Sequence, residues 1–374
     1  MSMGIWTKGI WSKRIVAAVL AGLAAAVAAP ALAQQKVVHI YNWSDYIDPQ
    51  VLKDFTKETG IRVVYDTYDS NDTLETKLLA GRTGYDVVVP SASNLAREIK
   101  AGALKKLDKA KLPNLKNLWD FVTKGLADYD PGNQYAVNYM WGTTGIGYNV
   151  DQVAKRLPSA PLDSWDMIFK VEVISKLADC GVNLLDSSDD LIPPALLYLG
   201  LNPDSHNVTD IAKAGDLLKK IRPFVRKFNS SEYIDALANG DICLTVGYSG
   251  DILQARTRAV EAKKGVKVGY SIPKEGALLW FDSFAIPRDA PHTNEALAFI
   301  DYMSRPEIAA RNSNFLKYAN GNKESQKLID PTVFGDPSIY PDEAMMKKLF
   351  LTHAYDARTQ REATRIWTAV KAGK

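Results

Sequence analysis

Histidine clusters, cysteine, surplus charge and long apolar runs are all scarce in this sequence, and each scarcity removes a class of function. The four histidines, His39, His206, His292 and His353, are scattered, with no H-x-x-x-H pair and no mixed Cys/His spacing, so no metal site is expected. The formal net charge of +3 is accounted for by Lys8, Lys13 and Arg14. Beyond residue 33 the chain is formally neutral, which gives no electrostatic case for nucleic acid or an anionic membrane. Ser91, in "VVPSAS", lies outside a G-x-S-x-G elbow and has no neighbouring histidine to serve as a base, so a hydroxyl at a cleft edge is its expected role. "GTTGIG" at 142–147 lacks both the G-x-G-x-x-G order and the lysine of a phosphate loop, and reads as a tight turn. There is no low-complexity tract, heptad run or short internal repeat, and no cofactor is called for.

The one long apolar run stands at the N-terminus. Lys8, Lys13 and Arg14 precede an Ala/Val/Leu-rich stretch from Ile15 to Ala28, and Ala31-Leu32-Ala33 offers a small-residue cleavage site, so residues 1–33 read as a secretory signal peptide. The run is shorter than the ~20 residues a spanning helix needs. Export to an oxidising compartment makes Cys180 and Cys243 a natural disulfide, with two buried free thiols as the alternative. Closing such a loop contributes on the order of 4 kcal/mol in the chain-entropy model.

The remaining length exceeds the ~250–300 residues at which a single core divides, so two lobes are expected. β-Branched runs, "VVHIYNW" from Val37, "IRVVYDTY" from Ile61 and "YDVVVPS" from Tyr85, are separated by segments of helical spacing, which argues βαβ units and a mainly parallel sheet. Asp48 and Pro49 open the first helix and Gly60 stops it. A second α/β block follows, with strands expected at "GVNLLD" (181), "DICLTVGYS" (241), "VKVGYSIP" (266) and "LWFDSFAIP" (279), and helices near 209–222 and 249–263. The stretch from Pro131 to Asn149 is the candidate first crossing between lobes.

Three segments share one chemistry: "NWSDY" at 42–46, "GYSGD" at 247–251 and "LWFDSF" at 279–284 each place an aromatic near an aspartate within or just after a strand. Ligands of open α/β sheets bind beyond the carboxyl ends of strands, so the three can converge on one cleft. Aromatic faces attract cations and carboxylates accept charge-assisted hydrogen bonds from ammonium groups, so together they describe a box for an organic cation. Each segment alone is more simply a turn with a half-buried ring. The threefold recurrence favours the box.

From "YNWSDYI" through "YDVVVPSAS", "LANGDICLTVGYSGD", "SIPKEGALLWFDSFAIP" and "YANGNK" to "RIWTAVKAGK", the chain resembles the periplasmic polyamine-binding proteins of bacterial ABC importers, above all their putrescine-binding branch. The resemblance implies an α/β, two-lobed periplasmic binding protein fold (type II-like) with a ligand cleft between lobes joined by crossing strands. Its approximate limits here are 34–143 with 283–330 for the first lobe and 144–282 with 331–374 for the second. It implies Trp43, Tyr46, Tyr248, Trp280 and Tyr318 around the aliphatic part of the ligand, and Ser44, Asp45, Ser91, Asp190, Asp251 and Asp282 near its nitrogens. Asp251 and Asp282 are the foremost candidates for direct ammonium contacts; Asp45 and Asp190 act through water or at the mouth. The implied partners are a polyamine and the permease of an ABC importer, the location is the periplasm, and a monomer suits a lobe-closing binder. The chain departs from the putrescine pattern at Tyr248, where tryptophan is usual, at Trp280, where phenylalanine is usual, at the aspartates of "DSSDDLI", and at Asn94, which replaces a bulky aromatic near the entrance. Spermidine, cadaverine and agmatine therefore stay open as ligands. A ligand-presenting sensor and a secreted hydrolase, whose clefts also flank carboxylates with tryptophans, are the rival classes.

Overall fold

In the computed structural model, which describes residues 35–373, strand and helix alternate as the apolar pattern expects; the signal peptide lies outside the described residues. The first block forms β1 (Val37–Trp43), β2 (Arg62–Tyr68) and β3 (Val87–Val88), with the helices Pro49–Thr59 and Asn71–Ala80 between them. β1 pairs in parallel with both neighbours, an arrangement that needs such crossover helices. The first helix begins where the Asp48 carboxylate accepts the Gln50 N–H (2.8 Å), and it ends at Gly60 with φ 72°.

Two long strands carry the chain onward: β4 (Ala136–Asn149) and, much later, a partner beside it. The second block supplies β5 (Val182–Leu184), β6 (Lys227–Phe228), β7 (Leu244–Tyr248) and β8 (Val268–Ser271), followed by β9 (Leu278–Ala285) and β10 (Ala319–Asn320). The path runs β2-β1-β3-β9-β4-β7-β5-β6, with β8 and β10 also pairing to β4. β4 pairs with β9 from Ala136 to Thr144 and with β7 from Thr144 to Tyr148, so it passes from one block to the other at Thr144. The crossing expected between Pro131 and Asn149 is this strand.

The tight turn expected at "GTTGIG" is not there, because Gly142 to Gly147 lie inside β4. The glycine at 142 answers a different demand. It stands opposite Trp280, and a Cβ would come within 2.7 Å of the indole, so the bare backbone lets that ring lie across the strand.

One buried cluster sits beneath the helices Pro49–Thr59, Thr293–Met303 and Pro306–Leu316 and includes Ile40, Phe55, Phe284, Phe299 and Leu316. A larger one includes Leu184, Leu218, Tyr233, Val246 and Ile366. At ~1.5–3 kcal/mol per large buried side chain, these clusters outweigh the exposed ion pairs, worth ~0–1 kcal/mol each. Cys180 and Cys243 form the expected disulfide, with Cα atoms 5.6 Å apart, joining the entries to β5 and β7.

Candidate functional site

Near the point where β4 changes partners, three aspartates face one cavity. Asp282 comes from β9, opposite Met140; Asp251 lies in the first turn of the helix Ser249–Ala262; Asp190 lies in the first turn of the helix Ser188–Tyr198. Each carboxylate oxygen accepts one hydroxyl. Tyr46 (2.9 Å) and Ser91 (2.6 Å) donate to Asp282, Tyr233 (2.7 Å) and Tyr318 (2.6 Å) to Asp251, and Tyr248 (2.9 Å) and Thr144 (2.9 Å) to Asp190. A carboxylate oxygen has two lone pairs, so this fixes all three groups while leaving acceptor capacity directed at a ligand.

Aromatic rings form the wall between the carboxylates. Tyr46 meets Tyr318 edge to face at 5.2 Å, Tyr318 meets Trp280 at 5.4 Å, and Trp280 meets Tyr248 at 5.8 Å. Trp43 packs on Tyr68 at 4.7 Å and is held by its indole N–H on the Val89 carbonyl (2.9 Å). Gly250 has no side chain for a reason: a Cβ there would meet the Tyr318 ring at 2.4 Å. The cavity comprises about 870 Å³ of space not filled by atoms, part of it open to solvent.

Electrostatics set the character of the site. Among its described lining residues are five aspartates (Asp69, Asp189, Asp190, Asp251 and Asp282) and no Lys, Arg or His. Burial pushes the carboxyl of Asp282 up to about 7 and that of Asp251 up to about 6, against the stabilising hydroxyl bonds. Asp190 is raised for the same reason, as is Asp189, which Arg97 partly offsets. A helix N-terminus favours a carboxylate by ~0.3–1 kcal/mol, whereas the two-unit rise of Asp251 is roughly 3 kcal/mol the other way, so burial wins. Carboxyl groups concentrated in this way, with no cationic side chain among the described lining residues, make a place prepared for a cation.

The cavity brings together Trp43, Ser44, Tyr46, Ser91, Asp190, Tyr248, Asp251, Trp280, Asp282 and Tyr318 from the residues singled out in the sequence. Asp45 is the exception. Its backbone takes φ 52°, and its half-exposed carboxylate turns away to Arg258, 2.8 Å off. Asn94 is not at the entrance either: it is buried and donates to Glu75 (3.1 Å). Sequence reasoning missed Tyr233, Tyr68 and Asp189. Tyr233 sits in the helix Tyr233–Asn239 with the apolar neighbours of an ordinary core residue, so only the fold reveals where its hydroxyl points.

Residues 50–341 match the family described as bacterial extracellular solute-binding protein. The chain is 53% identical to the putrescine-binding periplasmic protein SpuD of Pseudomonas aeruginosa, over 97% of this chain and 99% of the other. It is 50% identical to the putrescine-binding periplasmic protein PotF of Escherichia coli, again over 97% and 99%. Among solved structures, it is similar to the spermidine/putrescine ABC transporter substrate-binding protein PotD of Streptococcus pneumoniae, with a TM-score of 0.73, 29% identity, and coverage of 90% of this chain and 99% of the other.

Proposed function

This chain belongs to the bacterial extracellular solute-binding protein family and has the two-lobed fold of periplasmic binding proteins, and on that premise we propose that it captures a polyamine, putrescine first, for an ABC importer. The observation that carries this reading is the convergence of Asp190, Asp251 and Asp282 in an aromatic-walled cavity without a cationic lining residue among those described. A diamine entering it loses the hydration of two charged ends, which the carboxylates must replace. Rings then cover the methylenes, each buried CH₂ contributing about 0.8 kcal/mol, and add ~1–2 kcal/mol of cation–π attraction where water is excluded. The ligand is bound and released unchanged, as the names of the relatives also suggest. Residues 1–33 are assigned to export and the mature chain to the periplasm.

The direct test is isothermal titration of residues 34–374, stripped of carried-over ligand by unfolding and refolding, against putrescine, cadaverine, agmatine and spermidine. Saturable one-to-one binding with putrescine foremost supports the reading. No heat with any of the four, from folded protein, refutes it.

Protonation gives a second check. Asp282 and Asp251 titrate near 7 and 6 when no cation is bound, and a bound ammonium favours their charged forms, so binding expels protons below pH 7. Affinity is expected to rise from pH 5.5 to 8, by up to about tenfold per pH unit for each carboxylate that must be deprotonated. A flat profile over that range would show that neither group titrates in the empty site.

The lobes assigned here are 34–143 with 283–330 and 144–282 with 331–374. On these limits Arg258 faces Asp235 of its own lobe (2.7 Å) and Asp45 of the other (2.8 Å), making a contact that exists only when the lobes are together. Exposed pairs are worth ~0–1 kcal/mol, so Arg258→Ala is expected to weaken binding only about two- to fivefold, through a faster off-rate. Stopped-flow dissociation reads this; an unchanged off-rate removes the pair from closure.

A further inference from the structure

Next to the cavity, and sharing Trp43, Asp69, Asn71, Asp189, Ser230 and Tyr248 with it, runs an outer groove of about 1180 Å³, partly open to solvent. Its far wall is the helix Ala357–Ala372, from Gln360 to Lys371. There the ammonium of Lys371 lies 2.7 Å from an Asp186 carboxylate oxygen and 5.8 Å from the centre of the Trp367 ring. The Trp367 indole N–H donates to that same Asp186 oxygen (3.2 Å), and Phe228 braces the ring edge to face at 5.2 Å. The near wall carries Asp69 and Asp72, exposed carboxylates with no ion-pair partner among the described residues.

An ammonium held between a carboxylate and an aromatic face is the chemistry of the inner cavity repeated at its mouth, with the chain's own lysine in the ligand's position. We propose that the groove is an outer station for the distal ammonium of a longer linear polyamine, and that Lys371 occupies it as an internal competitor, tilting choice toward short diamines. The proposal rests on the polyamine reading of the inner cavity. Lys371 and Asp186 are 38% and 41% exposed in their side chains, so their pair is weak, screened by salt and open to exchange with a ligand ammonium. A diamine confined to the inner cavity does not sense that exchange. A triamine anchored there by one end extends into the groove, where it must displace Lys371 to reach Asp186 and Trp367.

The experiment is titration of the wild type and three variants with putrescine as the diamine and spermidine as the triamine, at low and at physiological salt. Lys371→Ala is expected to tighten spermidine binding three- to tenfold while shifting putrescine by less than twofold. Lys371→Arg, which keeps a cation in place, should show no gain, and Asp186→Asn added to Lys371→Ala should abolish it. An equal change for both ligands, or none for spermidine, with putrescine still bound by the wild type, overturns the outer station and leaves the inner reading standing. Failure of the wild type to bind either ligand overturns the inner reading and this one with it.

Discussion

Replacing Asp282 by asparagine is expected to weaken putrescine binding by about 2–5 kcal/mol, roughly 30- to 5000-fold, and at the same time to stabilise the ligand-free protein. The two effects have one origin. Asp282 is buried, titrates at about 7 in the empty site, and has only neutral hydroxyls, from Tyr46 and Ser91, as partners. Its charged form is therefore costly until an ammonium arrives. The sign follows from linkage: the folded-state value lies above the ordinary carboxylate value of 3.8, so between the two the folded protein holds a proton that the unfolded chain has released. The contribution to stability is complete below about 4 and declines as pH rises to 7, reaching a penalty of about 4 kcal/mol above that. Asparagine never ionises and escapes the penalty, but it presents no charge to the ligand. Titration calorimetry and thermal unfolding at pH 8 should thus move in opposite directions. Unchanged affinity would remove Asp282 from the site; loss of both affinity and stability would mean that the amide disturbs the fold.

Asp282 and Asp251 were legible because each stands within three residues of an aromatic at a strand or its end, a local pattern that survives in one dimension. Asp45 shows where that pattern misleads. It follows Trp43 closely, yet the chain turns at φ 52° beyond β1 and sends the carboxylate to Arg258, 213 positions away, a partner no local pattern could announce. Ser44, Asp190 and Tyr318 entered through the family likeness, since a lone serine, aspartate or tyrosine carries no spacing signal of its own; Ser91 was readable by itself only as a hydroxyl at a cleft edge, and the likeness placed it near the ligand nitrogens. The alternation of β1 to β3 with helices was readable from β-branched runs and from the Asp48 and Gly60 boundaries. The glycines at 142–147 were misread because close approach of a side chain to a strand (Trp280 at Gly142, Tyr270 at Gly145, Ile252 at Gly147) and a change of direction in a turn both call for a missing Cβ, and sequence does not distinguish them.

Glu98 should carry the same stability penalty at high pH as Asp282, but without a role in binding. It lies on the inner side of the helix Ala92–Lys100 with no exposed surface, and neither carboxyl oxygen has a hydrogen-bond partner among the described residues. Burial raises it to about 8, the neighbouring charge of Glu75 adds to the rise, and Arg97 opposes it only partly because its guanidinium is committed to Glu75 at 2.7 Å. At neutral pH Glu98 is therefore a protonated acid. Between the ordinary value of 4.5 and 8 the folded state binds one proton more than the unfolded state, so stability falls by up to 1.36 kcal/mol for each unit of rising pH. Glu98→Gln keeps the shape and removes the ionisation. Its urea unfolding curve should nearly coincide with that of the wild type at pH 4.5 and be displaced to greater stability at pH 8, by about 4 kcal/mol. Putrescine affinity should stay within twofold at every pH, because Glu98 does not line the cavity. A constant offset across the pH series would mean that Glu98 is charged in the folded protein. A fall in affinity would mean that the helix that presents Ser91 to Asp282 at its N-terminus feels the change at its other end, and the carboxyl would then belong to the support of the site.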